Sequence, residues 1–85
     1  MLKFSKEDYE FFFPLLDKEN QEILKKVAVV NEDEVIIDDE EIEVDLYEWL
    51  NDLVVTKGFD KRYNLNSIGQ RLEKLSDYVF SIIEE

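Results

Sequence analysis

From Leu46 to Ile83 the apolar residues keep helical time, and this constrains the fold more than any other feature. Leu46, Trp49, Leu50, Leu53 and Val54 recur at i, i+3, i+4, i+7 and i+8, one stripe of an amphipathic helix. Ile68, Leu72, Leu75, Val79, Ile82 and Ile83 repeat the rhythm. The spacing predicts helices over 46–57 and 67–84. Asp45 and Glu48 read as the cap pair of the first, and Ser67 and Gln70 as an S-x-x-Q capping box for the second. Gly58 reads as the C′ residue, with Phe59 turning back on Val54 in a Schellman stop. Gly69, in the first turn of the later helix, costs about 0.5–1 kcal/mol relative to alanine and would permit a close backbone approach.

Two such stripes need a cover, and the first half of the chain has to supply it. Ser5 and Asp8 resemble a capping box, and Phe4 is placed to staple onto Tyr9. Tyr9, Phe12, Phe13 and Leu16 follow at helical spacing until Pro14 interrupts. This predicts a short helix over 5–13. A second helix is expected over 17–28, with Asp17 as cap, Glu19 and Glu22 early, and Lys25 and Lys26 late, matching the helix dipole.

Strands are expected over 28–30 and 34–37, where β-branched residues run together. Ile42 and Val44 alternate with Glu41, Glu43 and Asp45, a period-2 signal for a third strand over 41–44. The predicted fold is α+β: a single domain, residues 1–85, of order ααββ(β)αα. Its antiparallel sheet, of two or three strands, packs on helices.

The fold must be held by its apolar core alone. Among 85 residues there is no cysteine and no histidine, which excludes disulfides and thiolate zinc sites and removes the commonest general base. A hydrophobic content of 45% is too high for a disordered chain. No apolar run is long enough to span a membrane, and no signal peptide is expected, since MLKFSKEDYEFFF carries charges where an apolar core segment would stand. A cytoplasmic location fits the lack of cysteine.

The net charge of −12 is concentrated in one place. Residues 1–30 carry five lysines against six carboxylates, and residues 49–85 five basic residues against six carboxylates. Residues 31–48 carry ten carboxylates and no base. Such a field repels nucleic acid and anionic lipid and attracts basic surfaces.

The acidic run does not read as a calcium loop. An EF-hand needs carboxylates at spaced positions and a central glycine. In the register from Asn31 the fifth and sixth positions are Val35 and Ile36, and from Asp33 the third is Val35. No nucleophile–base pair, glycine-rich phosphate loop or HExxH motif is present, so no enzyme activity and no cofactor are expected. Lys57, Lys61, Arg62, Arg71 and Lys74 fall together late in the chain, but Asp60, Glu73 and Asp77 lie among them. A nucleic-acid interface would need a basic surplus.

Protein binding remains. Glu32, Asp33, Glu34, Asp38, Asp39, Glu40, Glu41 and Glu43 are expected to form a negative surface, and the neighbouring Tyr47 an aromatic anchor. The expected role is that of an inhibitor or adaptor that occludes a basic protein surface, such as that of a nuclease or another nucleic-acid-binding protein. Immunity proteins, antitoxins and phage-encoded inhibitors are analogous in size and charge alone. Two alternatives stand beside it: a homodimer or scaffold module built on a helical face, with the acids only solubilising it, and a weak divalent-cation binder. Phe11 and Phe80 lie off the predicted core stripes and fit either core or interface.

Overall fold

In the computed structural model, which describes all 85 residues, Ser5 ends a strand and starts a helix. Strand β1 (Leu2–Ser5) runs directly into helix α1 (Lys6–Phe12), and the Ser5 hydroxyl accepts the Asp8 N–H at 3.0 Å as the N-cap. Pro14 stops α1 as expected, and Phe13–Leu15 tighten into a 3-10 turn. Helix α2 (Lys18–Val27), strands β2 (Val29–Val30) and β3 (Glu34–Ile37), and helices α3 (Glu40–Lys57) and α4 (Ser67–Ile83) follow.

The α+β class and the three-stranded antiparallel sheet hold, but the third strand is β1 and not residues 41–44. The strand order is β1-β3-β2, with Leu2 opposite Ile37 and Phe4 opposite Val35. Alternation then places Leu2, Phe4, Val35 and Ile37 on one face, and all four are buried. Phe4 therefore does not staple onto Tyr9. It lies edge-on to Phe12 at 5.1 Å and to Tyr78 at 5.6 Å. Tyr9 instead stacks on Phe13 and meets the edge of Phe12. The outer edge of β1 is closed where the Lys3 N–H donates to the Tyr78 hydroxyl at 2.9 Å. At the other edge, Val29 and Val30 are exposed.

Residues 41–44 form the first turn of α3. Asp39, not Asp45, is the cap: its Oδ1 accepts the Ile42 N–H at 3.1 Å. Glu40, Glu41 and Glu43 stand in the first turn, where carboxylates are stabilised by the helix dipole by about 0.3–1 kcal/mol each. Ile42, Leu46 and Leu50 sit one turn apart, so the core stripe extends back through Ile42. A five-residue alternation of acid and aliphatic is compatible with either period. The cap and the dipole decide for the helix.

The α3–α4 hairpin is the frame of the domain. Leu46, Leu50, Leu53 and Val54 of α3 meet Leu72, Leu75 and Val79 of α4 in a single core shared with Leu2, Phe4, Phe12, Leu16, Leu24 and Ile37. Truncating a fully buried leucine such as Leu50 to alanine costs about 2–5 kcal/mol. Between the helices the Ser76 hydroxyl donates to Asn51 Oδ1 at 2.9 Å, and no buried side-chain nitrogen or oxygen lacks a partner.

Where the helices cross, Gly58 and Gly69 touch backbone to backbone. A Cβ on Gly69 would lie 2.8 Å from Gly58 Cα and 2.6 Å from Leu65 Cδ1, and one on Gly58 would lie 2.9 Å from Gly69 Cα. Gly58 is the last residue of α3's cap with φ −92°, so it is not a left-handed Schellman residue. It is a glycine for want of space. Phe59 is accordingly exposed, bridging only to Leu65. The cap of α4 lies one residue earlier than expected, at Asn66, whose Oδ1 accepts the Gly69 N–H at 2.8 Å. Its Nδ2 also donates to the Lys57 carbonyl at 3.2 Å, tying the start of α4 to the end of α3.

Candidate partner-binding surface

The acidic run divides into two groups and two special cases. Glu32 and Asp33 occupy the turn between β2 and β3, and Glu34 opens β3 opposite Ser5. Asp38 lies beyond the other end of β3, about 13 Å away along a four-residue strand. These acids are therefore not one strip. Asp39 is occupied as the α3 cap.

Glu43 is the second special case, and it corrects the expectation of an exposed carboxylate there. It is only 4% exposed, and its Oε1 lies 3.2 Å from the Met1 ammonium. The helical turn directs Glu43 inward between the stripe residues and the start of β1. A buried charge of this kind persists only when paired. It is not available to a partner.

Asp38, Glu40 and Glu41 do come together, on the end of the molecule where α3 starts and α4 stops. Glu40, Glu41, Val44, Tyr47 and Glu48 share a face of α3 by their spacing of three and four residues. Val44 is 43% exposed and Phe80 46% exposed. The Tyr47 and Phe80 rings lie side by side, with centroids 5.4 Å apart. On α4, Asp77 and Glu84 flank Phe80 one turn to either side.

Two shallow recesses share Val44 as a wall. One, of about 450 Å³, is bounded by Met1, Asp38, Glu40, Glu43, Val44, Ile82, Ile83 and Glu85. The other, of about 470 Å³, is lined by Glu40, Glu41, Val44 and Asp45. The result is an apolar cluster, Val44–Tyr47–Phe80, set among carboxylates from both helices. No group of three or more carboxylates is arranged to hold a metal ion. No helix is long and apolar enough to cross a membrane.

A strand over 41–44 hides Val44 and Asp45 from the helical face they share with Glu48, and Asp77 and Glu84 join that face only through the packing of α4 on α3. On a helix, Glu41–Asp45 and Glu40–Val44–Glu48 fall at spacing four, and that pattern would have found Val44, Asp45 and Glu48. Phe11 is half-buried, with the Arg71 guanidinium 4.1 Å over its ring. Among the titratable groups Tyr9 stands out, its phenol pushed above the usual tyrosine range by burial. Compared with known proteins, the chain finds no relative: no family model, no curated protein and no solved structure matches it.

Proposed function

We propose that this chain is a small protein-binding module of the cytoplasm. It acts by contact and not by catalysis, as an inhibitor or adaptor that covers a Lys- or Arg-rich surface of a partner protein. The observation that carries the reading is the cluster of exposed Val44 and Phe80 with half-buried Tyr47, ringed by Asp38, Glu40, Glu41, Asp45, Glu48 and Asp77. Aromatic anchors in a desolvated centre supply most of the affinity of a protein interface. The surrounding charge speeds encounter and selects a cationic partner. A nuclease or another nucleic-acid-binding protein offers such a surface, and the net charge of −12 keeps nucleic acid itself away.

The test uses the immobilised chain to capture a partner from its native cells, followed by titration of the purified partner. The partner is expected to present a basic face. Glu40→Gln/Glu41→Gln/Asp45→Asn should slow association and flatten its salt dependence, while Phe80→Ala should speed dissociation and weaken affinity by about tenfold or more. A partner whose binding ignores salt and both sets of substitutions would overturn the proposal.

A further inference from the structure

The largest cleft of the molecule lies against the side of α4 turned away from Phe80, and basic side chains outnumber acidic ones in its lining. It encloses about 610 Å³ between β1 and the N-terminal half of α4. Phe4, Leu75 and Tyr78 give it an apolar floor, and Lys3, Arg71 and Lys74 line it with three of the ten basic side chains of the protein against one carboxylate, Asp8. Its volume is that of a small-molecule site, for which about 300–1,000 Å³ is usual.

The charges of the cleft are not all equivalent. Arg71 Nη2 lies 3.1 Å from Asp8 Oδ1 and 3.8 Å from Glu7 Oε1, so its charge is balanced from α1. Those contacts and the Phe11 ring fix the guanidinium in place. Lys3 and Lys74 form no ion pair, and the fold brings these two ammonium groups from distant parts of the chain to one cleft. Ser67 and Gln70 add neutral hydrogen-bonding groups on the same wall. The first turn of α4 contains no carboxylate, so the positive end of its dipole is left uncompensated beside them. In a chain of net charge −12, two unpaired lysines over an aromatic floor are a local inversion of the field.

We propose that this cleft binds a small organic anion: a flat apolar group, seated on Phe4, Leu75 and Tyr78, that carries one phosphate or carboxylate between Lys3 and Lys74. Ser67 and Gln70 complete the hydrogen bonding of the anionic group, and Arg71 holds the wall through α1. The site is separate from the partner-binding surface, because Tyr78 and Phe80, two residues apart, point to nearly opposite sides of α4.

Phenyl phosphate, benzoate, inorganic phosphate and phenol are titrated separately into the isotopically labelled chain, and amide chemical shifts are followed. Phenyl phosphate or benzoate is expected to shift Lys3 and residues 67–78 saturably, and the stronger of the two identifies the anionic group. Inorganic phosphate should bind more weakly than phenyl phosphate, and phenol should leave those amides unmoved. Lys3→Gln/Lys74→Gln should weaken the stronger ligand by about tenfold for each lysine removed, the value of one charge-assisted contact. Lys74→Gln alone, at an exposed helical position, carries the same test if the double variant loses its fold. The absence of saturable shifts with either organic anion would overturn the proposal. So would binding unchanged by the lysine substitutions, or phenol binding as well as phenyl phosphate.

Discussion

Helices α3 and α4 pack antiparallel, yet they treat their own dipoles in opposite ways. α3 has Glu40, Glu41 and Glu43 in its first turn and Lys57 in its last, as electrostatics favours. α4 has no carboxylate in its first turn and no base in its last, and it ends in Glu84 and Glu85. The difference teaches where the molecule is satisfied and where it is not. α3 is electrostatically complete without help. α4 leaves a bare positive end in the basic cleft and a negative end crowded by carboxylates beside Phe80. Each mismatch is one that an outside charge would relieve, an anion at the start of α4 and a cation at its end, about 25 Å apart along the helix.

The contrast depends first on the crossing of the two helices. Gly69→Ala would drive a Cβ into the Gly58 backbone, which cannot yield without moving α3. A loss of about 3 kcal/mol is expected in urea denaturation, the upper range for overpacking. Full retention of stability would mean that the crossing is looser than described.

The two caps give the next largest effect. Asn66→Ala removes the bond to Gly69 and the tie to the Lys57 carbonyl, whereas Asp39→Ala removes one bond to Ile42. The expected losses are about 2 kcal/mol for Asn66 and about 1 kcal/mol for Asp39. Equal losses would reduce Asn66 to an ordinary cap.

Charge removal sharpens the comparison directly. Glu40→Gln should lower stability and Glu84→Gln raise it, each by about 0.5 kcal/mol at low salt, because the first sits at a positive helix end and the second at a negative one. Both differences should fade as salt screens them. The same sign for both substitutions would refute the dipole account and leave general repulsion among the acids in its place.

The smallest effect concerns Tyr9, whose pKa is raised in the fold. The unfolded chain then releases the phenolic proton first as pH rises. The contribution of Tyr9 is fully present below about pH 10, the unfolded value, and is lost as pH climbs through the folded value. Melting temperatures across this range should fall more steeply for the native chain than for Tyr9→Phe.

Much of this fold is written locally, and those parts were legible. Ser5 as a cap, Pro14 as a break and the stripes of α3 and α4 need only neighbours within a turn or two. β1 was not legible, because four residues carry little period-2 signal. Its reality lies in pairing with Glu34–Ile37, far along the chain. Phe4 satisfied a local staple pattern equally well, and tertiary packing chose otherwise. The acidic run shows the converse. Its composition marks Asp38, Glu40, Glu41 and Tyr47 as neighbours along the chain, but composition does not say that Asp39 caps a helix or that Glu43 turns inward. Lys3 and Lys74 line one cleft only because β1 docks against α4, so nothing near either residue announces it.

The clamp at the hairpin crossing has one more consequence. The Asn66 N–H donates to the Gly58 carbonyl at 2.8 Å, so the chain leaves and re-enters the frame at nearly one point. Everything between Asp60 and Asn64 is exposed, including Tyr63, held at a positive φ of 62° where asparagine or glycine is at ease. That loop is a handle. A fluorophore, a tag or a tether to a second module inserted there hangs outside the fold, its ends already closed, and leaves both ends of α4 free to meet what they meet.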